Sequence, residues 1–368
     1  MALSETVRFG VIGLNRGLSF LRVCQAVGGA TVTALYDVDV ERARQLAEGP
    51  GAQVFDSLEA FLSAEIDAVV VASPVPFHAG QAAAALRAGK HVLSEVTAAV
   101  TLDEARELVE AQRAGNAVYM LAENYQYLDE VELLKRMVDA GRFGGVYYGE
   151  GEYLHDCREL WYDEAGRLTW RGRGGLGVYC THSLGPLLYI TRERVESVSA
   201  LAVPGGKYDP AVTVPTMHLM QMVTDRGTVL RVRVDHVSPR PHQMAYYALQ
   251  GTAGSYEAWR GFGDRSKVWL ADEHGPSLFE SPAQWHPLDA QSPRYIPDRL
   301  AAPPEARSGG HGTSEYWLIR DFLSAVRGEA HVAIDLHRGL DYTLPGICAL
   351  ESAARGGAPV AVPDTRAW

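Results

Sequence analysis

Short, fully apolar runs recur through the first third of the chain, and longer amphipathic stretches separate them. The runs predict strands at residues 7–12, 30–36, 68–72, 91–94 and 117–122. A strand that is apolar along its whole length is typical of a parallel sheet covered on both faces, because neither side of it meets water. We therefore expect a parallel sheet with helices between its strands.

The stretches between these runs carry the signals of helix ends. Asp56 with Glu59 and Thr101 with Glu104 have capping-box spacing, which marks the start of a helix. Gly89 stands where the helix before the fourth apolar run should stop. The repeated order of strand, helix and strand predicts a doubly wound sheet with right-handed crossovers.

The pattern changes after residue 122, which divides the chain into a first domain of residues 1–122 and a second of residues 123–368. The second domain begins with a predicted helix at residues 129–140 and ends with two more at 316–326 and 340–354. Strands that follow one another without helices favour antiparallel pairing. They are predicted at residues 146–154, 197–203, 213–224, 228–236, 246–250 and 267–270.

Residues 281–313 are rich in proline and glycine, and we expect them to be irregular. A loop of this length inside a compact protein is usually a lid, a partner-binding arm or a disordered segment. The sequence leaves these three interpretations open.

Composition and charge narrow the classes of function. The 368 residues are 47% hydrophobic and 21% charged, and the net charge is -11. An acidic chain is a poor partner for nucleic acid, and no apolar run is long enough to span a membrane. The N-terminus also lacks the pattern of a signal peptide, and the four cysteines are scattered without metal-type pairing. We therefore expect a cytoplasmic protein.

The stretch FGVIGLNRGLSF at residues 9–20 resembles a phosphate-binding turn that has lost some of its glycines. Gly13 leaves room for the first turn, and Asn15 is expected to accept the positive φ that glycine normally takes. Arg16 adds a cation beside the expected pyrophosphate. An ordinary strand-to-helix turn without a ligand is the alternative.

Asp37 favours a nucleotide site. It ends the second apolar run, 24 residues after Gly13, where an acidic group accepts hydrogen bonds from the adenosine ribose. A carboxylate at this place also repels a 2′-phosphate, so NAD is preferred to NADP. The alternative is that Asp37 caps the next helix, but Asp39 is better placed for that role.

The segment at residues 72–105, ASPVPFHAGQAAAALRAGKHVLSEVTAAVTLDEA, resembles the Gfo/Idh/MocA family of glucose-fructose oxidoreductases and inositol dehydrogenases. The resemblance covers nearly the whole chain, down to GGAPVAV near its end. It implies an α/β protein with an N-terminal Rossmann domain, and a C-terminal α+β domain with a large, mostly antiparallel open sheet. It also implies that NAD lies near Gly13, Asn15, Arg16, Asp37, Ser73, His78, Glu95 and Asn124.

Two positions depart from the family. The family's Glu-Lys-Pro is here Glu95-Val96-Thr97, and valine cannot lower the pKa of a reacting hydroxyl as that lysine does. Val178 stands where the family tends to have an aspartate, four residues before His182. A catalytically silent relative and an enzyme with a changed mechanism both fit these departures.

Four short stretches resemble a branch of the family that contains NAD-dependent glycoside hydrolases. They are ENYQY at 123–127, EYLHD at 152–156, YCTHSLGP at 179–186 and GGHG at 309–312. In that branch a ring hydroxyl is oxidised to a ketone, which acidifies the neighbouring C–H. The leaving group is then eliminated, water adds and the hydride returns.

The candidate catalytic residues are His182, Tyr179 and His155. Strand alternation puts Tyr153 and His155 on one side, so His155 can enter a pocket beside His182. We assign His182 as the base at the oxidised hydroxyl, Tyr179 as its assistant, and His155 to substrate hydroxyls or the α-proton. A structural hydrogen bond is the alternative for each of them.

A metal site is also conceivable from His155, Asp156, His182 and His311. Their spacing matches no dedicated metal motif, so we expect no metal.

The leading hypothesis is an NAD-dependent enzyme that transfers hydride at a ring carbinol carbon of a carbohydrate. A simple sugar dehydrogenase and a non-catalytic NAD-binding sensor or scaffold are the alternatives. Trp161 and Trp170 are candidates for stacking on a sugar ring, or for burial in the core. The open sheet implied by the resemblance favours a homodimer or homotetramer.

Overall fold

The computed structural model describes residues 6–174, 179–273 and 284–368, which form two compact units. The first unit combines the chain up to Leu128 with Ala302–Thr343 and Asp364–Trp368, and the second combines Asp129–Ala301 with Leu344–Pro363. The division therefore differs from a single boundary after residue 122. The reason is tertiary packing, since Phe322 from late in the chain lies against Phe9 of the first strand, with ring centroids 5.9 Å apart.

Fifteen strands are present in the described residues. In chain order they are β1 (Val7–Ile12), β2 (Ala30–Tyr36), β3 (Gln53–Phe55), β4 (Ala68–Val71), β5 (His91–Ser94), β6 (Tyr119–Leu121), β7 (Val146–Leu154), β8 (Val195–Pro204), β9 (Pro215–Thr224), β10 (Val229–Asp235), β11 (Gln243–Gly251), β12 (Gly254–Glu257), β13 (Lys267–Leu270), β14 (His286–Pro287) and β15 (Val360–Ala361).

Twelve α-helices accompany them in the same part of the chain. They are α1 (Leu14–Ala26), α2 (Val40–Ala47), α3 (Leu58–Leu62), α4 (His78–Arg87), α5 (Leu102–Arg113), α6 (Asp129–Asp139), α7 (Trp170–Arg173), α8 (Thr181–Thr191), α9 (Ser292–Tyr295), α10 (Pro297–Leu300), α11 (Ser314–Val326) and α12 (Leu336–Ala354).

The first unit contains the predicted parallel sheet. Its strand order is β3-β2-β1-β4-β5-β6, and every neighbouring pair is parallel. This is the order of a doubly wound dinucleotide-binding fold, in which the chain reverses direction across the sheet between β1 and β4. The expected N-terminal Rossmann domain is confirmed.

The predicted helix ends are only partly correct. Thr101 and Glu104 form the expected capping box at the start of α5, and Gly89 follows α4 with φ of 73°. The box expected from Asp56 and Glu59 is wrong, because Ser57 caps α3 and accepts the N–H of Ala60. A serine one residue closer to the helix displaces the aspartate from that role.

The second unit is built on a nine-stranded sheet with the order β14-β13-β12-β11-β7-β10-β9-β8-β15. Its neighbouring strands are antiparallel, apart from the parallel pair β7 and β10. Helix α8 packs against β7, β10 and β11, and α6 packs on α8. The expected mostly antiparallel open sheet is confirmed. Its edge strands, β14 and β15, do not pair with each other.

The proline-rich segment is more regular than expected. Residues 281–283 lie outside the described residues, and the rest contains β14, α9, α10 and a 3-10 turn at Pro304–Arg307. Arg136 on α6 anchors part of it through two hydrogen bonds to the Asp298 carboxylate, 2.6 and 2.9 Å long, and one to the Tyr295 carbonyl. Interleaved prolines, which begin short helices here, account for the error.

Among the helices in the described ranges, none combines the length and the apolar character needed to cross a membrane.

Candidate functional site

The predicted cofactor residues of the first unit follow the carboxyl ends of its parallel strands. Gly13 comes after β1, Asp37 after β2, Ser73 after β4, Glu95 after β5 and Asn124 after β6. In a doubly wound sheet this edge is where ligands bind, at the point where the strand order reverses. The sheet topology thus brings together residues that are more than a hundred positions apart in sequence.

The turn after β1 depends on Gly13. Its φ is 81°, and a Cβ built there would lie 2.4 Å from the Ser73 backbone nitrogen. The expectation that Asn15 takes positive φ is wrong, because α1 already begins at Leu14 and Asn15 lies in its first turn. Gly13 alone takes the left-handed conformation, so the helix can start without a second glycine.

Asp37 lies beside the N-terminus of α1. One of its carboxylate oxygens accepts the Leu14 N–H at 2.6 Å, and the other accepts the Asp39 N–H at 2.9 Å. Asp39 is the residue that caps α2, through the Arg42 N–H. A carboxylate has about four acceptor sites, so Asp37 keeps capacity for the hydroxyls of a ribose.

Arg16 is engaged by carboxylates. Its Nε donates to Glu95 at 2.6 Å, and its Nη2 lies 3.4 Å from Glu315, a residue of α11 that the sequence reasoning missed. His311 of the GGHG stretch also hydrogen-bonds the Glu315 carboxylate. Burial by itself raises the pKa of Glu315, but the hydrogen bond and charge of His311 and the charge of Arg16 lower it to about 2.

The side-chain amide of Asn124 has the hydrogen-bonding pattern expected at a ligand site. The side chain is buried, and its Nδ2 donates to Glu315 at 3.2 Å. Its Oδ1 is buried and has no hydrogen-bond partner within the described residues. A buried amide oxygen without a partner is costly, which fits a site completed by a polar group of the cofactor. The residues present therefore fit a dinucleotide.

His78 and Ser73 shape the turn after β4. The two ring nitrogens of His78 lie 2.7 Å from the Ser73 carbonyl oxygen and 3.0 Å from that of Thr97. Burial lowers the pKa of His78, against the effect of these carbonyls. The Ser73 hydroxyl donates to Gln81 at 2.6 Å. Both residues hold the backbone in place at the carboxyl end of β4. Their direct contact with NAD stays a prediction.

The three predicted catalytic residues lie together in the second unit, around Tyr153. Tyr179 Oη lies 3.2 Å from Nε2 of His182, which is in the first turn of α8. Tyr153 stacks on the His182 ring with centroids 5.5 Å apart, and its Oη lies 3.0 Å from Nδ1 of His155. Strand alternation correctly predicted that Tyr153 and His155 share a side.

Two further histidines belong to this cluster and were missed. His236 follows β10, and its ring lies 5.7 Å from that of Tyr153. His242 lies beside His155 with ring centroids 4.4 Å apart. The signal that places His236 is the parallel pairing of β7 with β10, which brings the carboxyl ends of both strands to one place. The sequence favoured antiparallel pairing and so could not show it.

The surroundings of His155 lower its pKa, which favours the neutral imidazole. Burial is the largest cause, and the charges of His242 and Arg171 lower the pKa further, against the carboxylates of Asp156 and Glu159, which raise it. Nδ1 faces Tyr153, and Nε2 has no partner in the part of the chain that the structure describes. If Nδ1–H donates to the tyrosine oxygen, Nε2 carries the lone pair and can accept a proton.

Part of this cluster lines an open cleft with a volume of about 60 Å³. The described residues around it are Tyr153, His155, Cys157, Leu160, Trp170, Arg171, Tyr179 and His236. Trp170 therefore lies where it can contact a ligand. Trp161 instead is buried against Val212 and Val237 in a small core cluster.

Of the two departures from the family pattern, Val96 and Val178, the structure describes only Val96. Val96 is buried, with 3% of its surface exposed, and offers no acid–base group. Val178 lies outside the described residues. Within the described ranges, no group of three or more His, Cys, Asp and Glu side chains is arranged to hold a metal ion.

Family models match along most of the chain. Residues 7–123 match an oxidoreductase family with an NAD-binding Rossmann fold, and residues 131–257 match a Gfo/Idh/MocA C-terminal domain. Residues 215–367 match the C-terminal domain of glycosyl hydrolase 109.

Curated relatives and solved structures agree with these matches. A glycosyl hydrolase family 109 protein of Streptomyces coelicolor is 30% identical over 100% of this chain and 85% of its own length. An α-N-acetylgalactosaminidase of Tannerella forsythia is 28% identical over 82% of this chain and 71% of its own. Levoglucosan dehydrogenase with NADH and L-sorbose has the same fold, with a TM-score of 0.79 at 22% identity over 98% of this chain and 100% of that one.

The fold, the predicted NAD-binding residues at the carboxyl ends of its parallel strands and these matches together define the class of protein. It is an NAD-dependent enzyme of the Gfo/Idh/MocA oxidoreductase class that acts on a carbohydrate. The C-terminal match and the similarity along the whole chain then decide between the groups within that class. The chain belongs to glycosyl hydrolase family 109.

Proposed function

We propose that this enzyme cleaves a glycoside by a redox-neutral route in which NAD stays bound and is recycled. NAD, when bound at Gly13, Asp37 and Asn124, supplies the hydride acceptor for a ring hydroxyl and returns the hydride at the end. The overall reaction consumes one water and releases the aglycone and the free sugar. The remaining steps are proton transfers, which this chain's own side chains must perform.

Tyr179 and His182 form the pair that removes the proton of the ring hydroxyl. The tyrosine oxygen lies 3.2 Å from the imidazole Nε2, so the Tyr179 hydroxyl can donate to His182 while it accepts from the substrate. The proton then passes from the substrate hydroxyl to Tyr179 and from Tyr179 to His182. This hydrogen-bonded pair, of which Tyr179 lines the cleft, is the observation that carries the proposal.

His155 removes the proton next to the new carbonyl. A ketone makes the neighbouring C–H acidic enough for an ordinary base, and a neutral imidazole near physiological pH is such a base. The electrons of the broken C–H bond then expel the aglycone from the adjacent carbon. Water adds to the resulting double bond, with the proton returned to the carbon, before the ketone is reduced again.

Val96 supports a route that does not use the family's lysine. A buried valine can neither orient a hydroxyl nor accept its proton, so proton transfer falls to the imidazoles. A simple sugar dehydrogenase has no need of a second base at the α-carbon. His155 thus favours glycoside cleavage over simple dehydrogenation.

The test is turnover of a panel of 4-nitrophenyl glycosides in deuterated water. Redox-neutral cleavage releases nitrophenol without net NADH and places deuterium at C2 of the sugar. A dehydrogenase accumulates NADH and leaves C2 protonated. His182→Asn and Tyr179→Phe should lower kcat about 10²–10⁴-fold and about 10-fold or more, respectively, with unchanged NAD content and circular dichroism.

We also propose a cytoplasmic homodimer or homotetramer formed through the C-terminal sheet. Val223 of β9 and Val229 of β10 are directly opposite each other, and each is 44% exposed on one sheet face. Exposed paired valines on an open sheet favour burial against another copy. The four cysteines are buried and free, which fits a reducing compartment.

A further inference from the structure

The second unit contains another cavity, which shares no described lining residue with the catalytic cleft. Its volume is about 420 Å³. Pockets that bind small ligands have volumes of about 300–1,000 Å³, so this cavity has the size of a binding site. Its walls come from the first turns of α6, the loop that follows β12 and residues 288–300.

Trp259 presents its ring at this cavity, with 47% of the residue exposed. Both polar groups of its backbone are fixed. The N–H donates to the Ser266 hydroxyl at 3.3 Å, and the carbonyl accepts from the side-chain amide of Gln243 at 2.6 Å. Because the ring is already held in place, a ligand that stacks on it pays little entropy to order it.

Four carboxylates line the cavity, and each has a partner within the protein. The pairs are Arg265 with Asp289, Lys267 with Asp264, Arg299 with Asp129, and the Tyr256 hydroxyl with Glu130. Since three of the four carboxylates lie beside a cation, the cavity is polar without a strong excess of either charge. A paired guanidinium and a paired carboxylate still have further N–H groups and lone pairs with which to bind hydroxyls.

Apolar side chains form another part of the same lining. Leu133, Leu288 and Ile296 are buried there. The cavity thus combines an apolar wall and an aromatic face with groups that donate and accept hydrogen bonds. A pyranose ring has the complementary combination, with C–H groups on its faces and hydroxyls around its rim. A purely apolar ligand would instead leave the ion pairs without their water.

Two consecutive residues connect the cavity to the catalytic cleft. His242 lies against His155, with ring centroids 4.4 Å apart, and Gln243 holds the carbonyl of Trp259. Gln243 begins β11, where it pairs with Leu154 at the end of β7. The cavity therefore belongs to the same region of the sheet as the predicted catalytic residues of this carbohydrate-acting enzyme.

We infer that this cavity is a second binding site, which takes a neutral saccharide with one face of a sugar ring on Trp259. Arg265 and Asp289 bind hydroxyls at the rim of that ring. The inference goes beyond the proposed function and does not depend on the route by which a glycoside is cleaved. The saccharide comes from the leaving group of the substrate or from a separate glycan.

Binding of neutral disaccharides to the holoenzyme, measured by saturation-transfer NMR and calorimetry, tests the inference. Lactose, maltose, cellobiose and N,N′-diacetylchitobiose are the probes, and the wild type should bind at least one of them. Trp259→Ala should weaken this binding about 10-fold or more, and Trp259→Phe should keep part of it, because phenylalanine retains an aromatic face.

Trp285→Ala is the matched control. Trp285 is 43% exposed in the same unit but does not line the cavity, so this variant should bind the disaccharide as the wild type does. Thermal midpoints of all three variants show whether the fold is intact.

Turnover with the bound disaccharide as an inhibitor distinguishes the two sources of the saccharide. Competitive inhibition that Trp259→Ala relieves assigns the sugar to the leaving group of the substrate. Unchanged turnover while the disaccharide is bound assigns it to a separate glycan.

Failure of all four disaccharides to bind, binding that Trp259→Ala leaves unchanged, or an equal loss in Trp285→Ala would overturn the inference. Failure of the proposed function looks different. In that case the disaccharide binds and its binding depends on Trp259, but no glycoside releases its aglycone.

Discussion

We expect the choice between NAD and NADP to depend on Asp37. Asp37→Ser should lower NAD affinity about 10-fold and reduce the preference for NAD over NADP, because the ribose loses its acceptor and a 2′-phosphate loses its repulsion. Fluorescence titration of protein stripped of nucleotide measures both constants. Asp39→Ser is the control, since Asp39 caps α2 and should leave both affinities unchanged. Identical affinities in Asp37→Ser and wild type would remove Asp37 from the site.

The lowered pKa of Glu315 predicts how the stability of the fold depends on pH. Its folded pKa, about 2, lies below the ordinary 4.5, so its carboxylate stabilises the fold above that ordinary value and loses this effect as pH falls toward 2. Glu315→Gln should lower the thermal midpoint at pH 7, by an amount equivalent to about 3 kcal/mol. Its midpoint should then fall less than that of the wild type between pH 5 and 3.

The exposed carboxylate of Glu48 provides the comparison for this experiment. Glu48→Gln should leave both the midpoint at pH 7 and the acid slope as they are in the wild type. Parallel acid slopes for Glu315→Gln and wild type would show that the Glu315 carboxylate is not held by Arg16 and His311.

At the scale of residues, the position of Asp37 at the end of the second apolar run was enough to propose it from the sequence. Asn124 was proposed only through the family resemblance, and contact of either residue with NAD stays a prediction. Glu315 could not be proposed, because it lies on a helix near the other end of the chain and reaches Arg16 only through tertiary packing. His236 depended on a strand pairing that hydrophobic alternation does not reveal.

At the scale of elements, the turn between β1 and α1 is the most constrained. Gly13→Ala should lower the thermal midpoint by the equivalent of about 1–3 kcal/mol or more and reduce bound NAD, because its Cβ meets the Ser73 backbone at positive φ. Gly80→Ala is the matched control within α4, where a Cβ meets nothing within 4 Å. It should raise stability by about 0.8–1 kcal/mol. Equal effects of both substitutions would contradict the strained turn.

The bounds of β1, β2, β5, β7 and β13 agree with the expectation. Most of their residues are apolar or β-branched, although Gly10 lies within β1, and Gly149 and Gly151 lie within β7. Helix α8 was missed because Gly185 and Pro186 interrupt it, although burial of its apolar residues maintains the helix. Strands β14 and β15 have two residues each, too few for any periodicity.

At the scale of the whole molecule, the exposed sheet face predicts the oligomeric state. Val223→Lys combined with Val229→Lys should convert the oligomer to smaller species, because burying two ammonium groups in an apolar contact is costly. Light scattering after size-exclusion chromatography measures the mass. Val38→Lys is the control, since Val38 is 93% exposed and lies in the first unit. An oligomer that persists in the double variant would place the contact elsewhere.

The account as a whole depends on a nucleotide that remains with the protein through catalysis. The direct measurement is to purify the enzyme without added cofactor, denature it and quantify the released dinucleotide by mass spectrometry. Recycling predicts about one NAD per chain, retained after dialysis and after many turnovers of a glycoside. A protein that releases no dinucleotide, or that turns over only with NAD supplied in solution, would contradict it.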